Sequence, residues 1–260
     1  MNFRERILRR EALIGTHLTM NDFVVADILS LCDYDYIWID TEHSSIDYSE
    51  LLKCIRIIRS RGIAAVVRTQ MNDINHTKRL LDIGVDGIVF PQVDTVADAR
   101  AAISSCLYPP RGTRGFGPHA AIDYGFTGGI DYARSANDKI AILLQVESAK
   151  AVESLDKTCR LDHADGFIIG PCDLSGSLGC IADIKSEAVL TEIKKIVDIL
   201  NENKKSIGIS VGSTDPDEQK FWIDQGLNMI SAGVDTDFIR KCAFENAHSL
   251  RKITNSRKES

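Results

Sequence analysis

Two acidic residues stand at the ends of apolar runs within residues 140–179: Glu147 closes IAILLQVE, and Asp173 follows GFIIGPC. Runs of this kind read as strands buried on both faces. Parallel strands joined through a helix bring their C-terminal ends to one rim, so Glu147 and Asp173 are expected side by side on one sheet edge. Gly170 and Pro171 bend the backbone just before the second acid. Two readings stay open on the residues alone: a seat for a divalent cation, or two solvated acids in loops. If a cation binds, the donors are oxygens only, with no thiolate or histidine pair at ligand spacing. That favours a hard ion, Mg²⁺ or Mn²⁺ ahead of Co²⁺ or others, over Zn²⁺.

Other strand ends carry further reactive groups: Asp40 with Glu42 and His43 after YIWID, Arg68 after AAVV, and Gln145 beside Glu147. An arginine at the end of a buried strand is costly unless it meets negative charge. A metal and an arginine at one rim can stabilise the oxyanion of an enolate made from a 2-oxo acid. His43 has the right type for proton transfer, with Asp82 a candidate orienting acid, although Asp82 falls at a helix C-terminus. The alternative for His43 is a loop histidine supported by Asp40.

These groups need a frame with all strand ends on one side. The apolar runs predict eight strands: 13–18, 36–40, 64–69, 87–91, IAILLQVE, GFIIGP, 206–211 and 229–233. Helical patterns separate them at 21–31, 48–61, 75–83, 96–106, 187–203, 216–225 and 237–251, with Asp47 as an N-cap and Gly84 as a C-cap. Eight such alternations favour a single-domain (β/α)8 TIM barrel spanning 1–260 over an open doubly wound sheet. No GxGxxG follows a strand, and the glycines of SIGISVGS are explained by tight packing of a turn. The one long irregular connection, 108–137, is expected to be functional or an interface element. The tail TNSRKES is expected to fray.

The chain has 260 residues, 31 basic and 37 acidic side chains and a formal charge of −6, which argues against a nucleic-acid partner bound through a basic surface. It shows no membrane span and no secretory signal core, and a cytoplasmic location is expected. Seven scattered cysteines without a CxxC pair indicate neither a disulfide framework nor a thiolate zinc site.

The segments YIWIDTEHSS, VVRTQ, LLDIGVDGIVFPQV, YPPRGTRGFGP, LLQVES and GFIIGPCDLSGSLG, in this order, resemble the HpcH/HpaI family of metal-dependent pyruvate-type aldolases. The resemblance runs over about residues 15–233. It implies a (β/α)8 barrel with a divalent ion on Glu147 and Asp173, and Arg68 stabilising pyruvate enolate. It also implies proton transfer by His43 with Asp82, Asp40 and Gln145 around the bound oxo acid and water, and a pyruvate carboxylate received by the backbone near Gly170 and Cys172. Homo-oligomers, often hexamers, follow from it too, with neighbouring subunits completing the site and the last helix exchanged; Arg111, Arg114 and Phe116 are expected at such an interface.

The expected reaction is reversible cleavage of a 4-hydroxy-2-oxo acid to pyruvate and an aldehyde. A decarboxylase or carbon–carbon coupling enzyme acting on an oxalacetate-like acid is the alternative. A catalytically silent barrel acting as a binding protein is a third. Departures fall on the walls: His17 where many members have Trp, Asp27 where Glu is common, Cys172 in place of Ala, and no arginine in PHAAIDYG.

Overall fold

Eight parallel strands close on themselves in chain order in the computed structural model, which describes residues 1–256. They are β1 (Leu13–Leu18), β2 (Tyr36–Asp40), β3 (Ala64–Arg68), β4 (Gly87–Phe90), β5 (Ala141–Val146), β6 (Gly166–Ile169), β7 (Ser206–Val211) and β8 (Met229–Val234). Alternation along each strand splits the core in two. Leu13, Tyr36, Trp38, Val66, Val89, Ala141, Leu143, Ile168 and Met229 fill the barrel interior. Their neighbours, such as Ile37, Val67, Ile88, Ile142, Phe167 and Ile207, face the helices.

The helices are α1 (Phe3–Leu8), α2 (Phe23–Ser30), α3 (Tyr48–Ser60), α4 (Ile74–Ile83), α5 (Val96–Cys106), α6 (Gly129–Lys139), α7 (Ala149–Thr158), α8 (Pro171–Ser177), α9 (Glu187–Glu202), α10 (Pro216–Ile223) and α11 (Asp235–Ser256). α1 closes the N-terminal end of the barrel: Phe3 and Ile7 join the interior cluster, and the Ser206 hydroxyl donates to the Ile7 carbonyl at 2.6 Å. The C-terminal end is left open for chemistry. Among the described residues no helix is long and apolar enough to cross a membrane.

The eight expected strands and the single-domain barrel are present, and three expectations are corrected. The 108–137 connection is not irregular throughout. A 3-10 segment (Ala120–Gly125) and then α6 occupy its second half. Helix α6 buries only Ala136, so it carries no apolar stripe to be read. Asp173 lies not on a strand end but in the first turn of α8, where Pro171 starts a helix directly after β6. The tail is helical as far as Ser256; the rest of it, 257–260, lies outside the described residues.

Candidate active site

The inward-facing positions at the strand ends form a polar ring above the apolar interior: His17 on β1, Asp40 on β2, Arg68 on β3, Gln145 on β5 and Ser210 on β7. Asp40 and Arg68 are partners at the last rung between β2 and β3. The guanidinium grips the carboxylate in a fork, Nε to Oδ1 at 3.0 Å and Nη2 to Oδ2 at 2.6 Å, while Nη1 reaches Glu42 Oε2 at 2.9 Å. Trp38 backs the guanidinium, 5.7 Å from its ring centre. Asp40 Oδ1 also accepts the Glu42 and His43 amides, which shapes the turn after β2. Burial alone would raise the Asp40 pKa, but Arg68 and the two amides outweigh it and hold the group below its ordinary value.

Glu147 sits across the mouth. Its Oε1 accepts the Gln92 amide at 2.6 Å and its Oε2 accepts from Gln145 Nε2 at 2.6 Å. Gly170 presses against it so closely that a Cβ there would lie 2.9 Å from Glu147 Oε2. Burial pushes the Glu147 carboxyl up to about 7, and Asp173 and Glu42 push the same way against the Gln92 amide and Arg68. The structure thus brings Glu147, Asp173, Glu42 and Arg68 into one electrostatic neighbourhood. Gln92 holds a left-handed backbone, φ 54°, of a kind non-glycine residues adopt at a cost of about 1 kcal/mol or more, and this aims its N–H at Glu147. No feature of the sequence marks Gln92 for this role. Glu42, expected only as a neighbour of Asp40, proves to be the second acid on Arg68.

These residues fit a hard divalent cation. Glu147 and Asp173 offer carboxyl oxygens where the nearest arginine is already committed to Asp40 and Glu42, and the buried Gln145 Oε1 has no hydrogen-bond partner. Among the described residues no three His, Cys, Asp or Glu side chains converge as a metal cage. Two carboxylates suit an ion such as Mg²⁺, which leaves its other positions to water and substrate oxygens. Beside them no side chain caps the start of α8, at Gly170 and Cys172.

His43 is largely exposed, its Nε2 4.0 Å from Glu42 Oε2. The structure does not bring Asp82 to it. Asp82 lies in the last turn of α4, at the opposite end of the barrel, and binds Arg114 Nη2 at 3.0 Å. Arg114 is itself enclosed, 2 % exposed, between Asp82, the Tyr132 hydroxyl at 3.1 Å and the Tyr108 ring at 4.3 Å. It is an internal residue of its own subunit and not the interface residue expected, whereas Arg111 and Phe116 are exposed.

A family model described as HpcH/HpaI aldolase/citrate lyase matches residues 13–242. The chain belongs to this family. HpcH/HpaI aldolases are in general divalent-metal dependent, in keeping with the donor set above. The chain is 30% identical over 250 residues to a hydroxypyruvate/pyruvate aldolase of Cupriavidus necator, covering 96% of this chain and 92% of the relative. It is 33% identical to a 2-keto-3-deoxy-L-rhamnonate aldolase of Klebsiella pneumoniae, covering 90% and 87%. A crystal structure of an HpcH/HpaI aldolase/citrate lyase family protein from Burkholderia cenocepacia superposes with a TM-score of 0.88 at 27% identity, covering 95% and 98%.

Proposed function

We propose that this chain is a metal-dependent aldolase that reversibly cleaves a 4-hydroxy-2-oxo acid to pyruvate and an aldehyde. The observation that supports the reading is Glu147 at the mouth of the barrel, close enough to Asp173, Glu42 and Arg68 for all three to act on its charge. The names of the relatives support a small oxo acid and an aldehyde as substrates. A divalent ion, Mg²⁺ or Mn²⁺, held by Glu147 and Asp173 would supply Lewis-acid polarisation of the 2-oxo group.

The chain's own groups then divide the work. The uncapped start of α8 offers the Cys172 and Asp173 amides to the oxo-acid carboxylate, since the Gly170 N–H is donated to the Val146 carbonyl and Pro171 has none. Gln145 fixes Glu147 and faces the bound acid. In cleavage, the 4-hydroxyl loses its proton, the C3–C4 bond breaks, and its electron pair becomes the enolate of pyruvate, whose oxygen Arg68 stabilises. Asp40 holds Arg68 in place for that task. His43, at the mouth beside Glu42, moves the proton. Asp82 has no part in this within one subunit.

We further propose a homo-oligomer in which α11 is exchanged. Its Phe244 is 71 % exposed, with Ile239, Leu250 and Ile253 also uncovered, and α2 leaves Val24 and Ile28 bare. All seven cysteines are free thiols, which supports a cytoplasmic site of action. The deciding experiment is exchange of deuterium from solvent into the methyl group of pyruvate with Mg²⁺ or Mn²⁺ supplied. Exchange that chelation abolishes is expected; its absence removes the proposal.

A further inference from the structure

Two members of the polar ring have no task in the chemistry above: His17 and Ser210. His17 Nδ1 lies 2.8 Å from the Gly233 carbonyl oxygen, and Nε2 lies 2.8 Å from Ser210 Oγ. A carbonyl can only accept, so Nδ1 carries the hydrogen. Burial, helped by the charge of Arg68, lowers the pKa of His17 against the Gly233 carbonyl and the Asp40 and Asp235 carboxylates, so at neutral pH and above the imidazole is uncharged and Nε2 keeps its lone pair. The Ser210 hydroxyl must therefore donate into the ring. Its hydrogen is committed, and its oxygen presents only lone pairs to anything else.

That oxygen faces the mouth. Gly208 and Ser206, two and four residues earlier on β7, point into the barrel, whereas Ile207, Ile209 and Val211 face the helices, so Ser210 points inward at the open end. It is partly exposed there, while His17 is buried behind it. The pair is also joined to the enolate site. His17 packs on Trp38 at 5.5 Å between ring centres, and Trp38 backs Arg68. A wall of fixed polarity thus stands on the same open rim as Arg68, with Trp38 between them.

We propose that the His17–Ser210 pair selects the electrophile, accepting aldehydes that carry a hydroxyl group next to the carbonyl and disfavouring those that carry a carboxylate or phosphate. A substrate hydroxyl donates to Ser210 Oγ; an anionic oxygen meets lone pairs with lone pairs. Ser210 touches the substrate, and His17 is a positioning residue that sets which way the serine hydroxyl points. This inference rests on the aldolase reading above.

The test uses the full chain with Mg²⁺ or Mn²⁺ supplied. Deuterium exchange into pyruvate, which needs no aldehyde, checks the enolate chemistry on which the aldolase reading depends, and release of pyruvate and aldehyde from a 4-hydroxy-2-oxo acid checks the cleavage. Values of kcat/KM are then compared for glycolaldehyde, its isostere propionaldehyde, and succinic semialdehyde. The unaltered enzyme should prefer glycolaldehyde, and Ser210→Ala should lower the glycolaldehyde-to-propionaldehyde ratio about tenfold, chiefly through KM. Ser210→Thr, which keeps a hydroxyl, should retain the preference. His17→Phe frees the serine hydrogen to donate and should raise succinic semialdehyde turnover relative to glycolaldehyde; this variant keeps the test decisive if Ser210→Ala fails to fold. Exchange into pyruvate together with unchanged ratios in both variants overturns the selective wall and leaves the aldolase. No exchange removes the aldolase and the wall with it.

Discussion

Arg68 and Asp40 are cross-strand partners whose side chains also meet in a two-bond fork, at 3.0 and 2.6 Å, on the open rim of the barrel. Backbone register and side-chain geometry therefore fix the same pair twice. Asp40 is spent on this contact and on two backbone amides, with its pKa held low, so it is a poor proton acceptor near neutral pH. Its value lies in orientation: it leaves the guanidinium facing Glu42 and the Glu147 side of the mouth.

Arg68→Ala should lower kcat for aldol cleavage roughly a hundredfold or more, the usual cost of removing an oxyanion donor. Arg68→Lys should not restore it, because an ammonium cannot hold Asp40 by two parallel bonds. Steady-state kinetics on a 4-hydroxy-2-oxo acid decide this, and wild-type turnover in either variant would remove Arg68 from the chemistry.

Metal binding should depend on pH through Glu147. Its carboxyl is pushed up to about 7, so below that pH a cation must displace a proton, and above it the ligand is already ionised. Mn²⁺ affinity should fall about tenfold for each pH unit below about 7 and level off above it. The metal-free fold follows the opposite sign. An acid whose folded pKa lies above its unfolded value weakens stability as pH rises between the two, so the metal-free protein should gain stability on acidification from pH 7 towards 4.5. Calorimetric titration and thermal unfolding across that range, repeated on Glu147→Gln, test both signs; a Glu147→Gln protein with the same pH slopes would exclude Glu147 as their source.

The barrel was legible because strands buried on both faces leave continuous apolar runs, as in AILLQV and GFII, and because Asp47 and Gly84 punctuate the helices where the structure ends them. The acid pair was legible for the same reason: Glu147 follows such a run directly. Asp173 is less legible, since Pro171 turns the chain into α8 before the acid is reached and the apolar run alone suggests a strand end. Asp82 could not be placed, because its position at the end of α4 says nothing about what the long connection brings to it, and Arg114 arrives from that connection. Gln92 leaves no mark at all: its contribution is a backbone N–H in a left-handed conformation, which glycine and, more weakly, Asn and Asp signal in a sequence but glutamine does not.

Arg114→Ala should act on stability. The side chain is enclosed among Asp82, Tyr108 and Tyr132, and removing it leaves Asp82 without its partner and the aromatic pocket unfilled. A loss of about 3 kcal/mol is expected. Denaturant unfolding measures it, with kcat per folded subunit as the control. An Arg114→Ala protein as stable as the parent would mean that the cluster is not a structural clamp.

The outward course of α11 leads to the last prediction. Asp235 fastens the start of the helix, accepting the Thr19 and Met20 amides at 2.8 Å and the Thr19 hydroxyl at 2.6 Å, and is the one residue of the helix that is buried. Beyond it Ile239, Phe244, Leu250 and Ile253 are exposed, and α2 is similarly bare at Val24 and Ile28, with Leu31 just beyond its end. Exchange of α11 between subunits would cover such surfaces at once, with large aromatic and aliphatic side chains as anchors. Light scattering of the purified chain should therefore report an oligomer, and Phe244→Glu combined with Ile253→Glu should shift it towards monomer without lowering helix content. A monomeric parent protein, or a double variant that assembles unchanged, would rule out exchange through this helix.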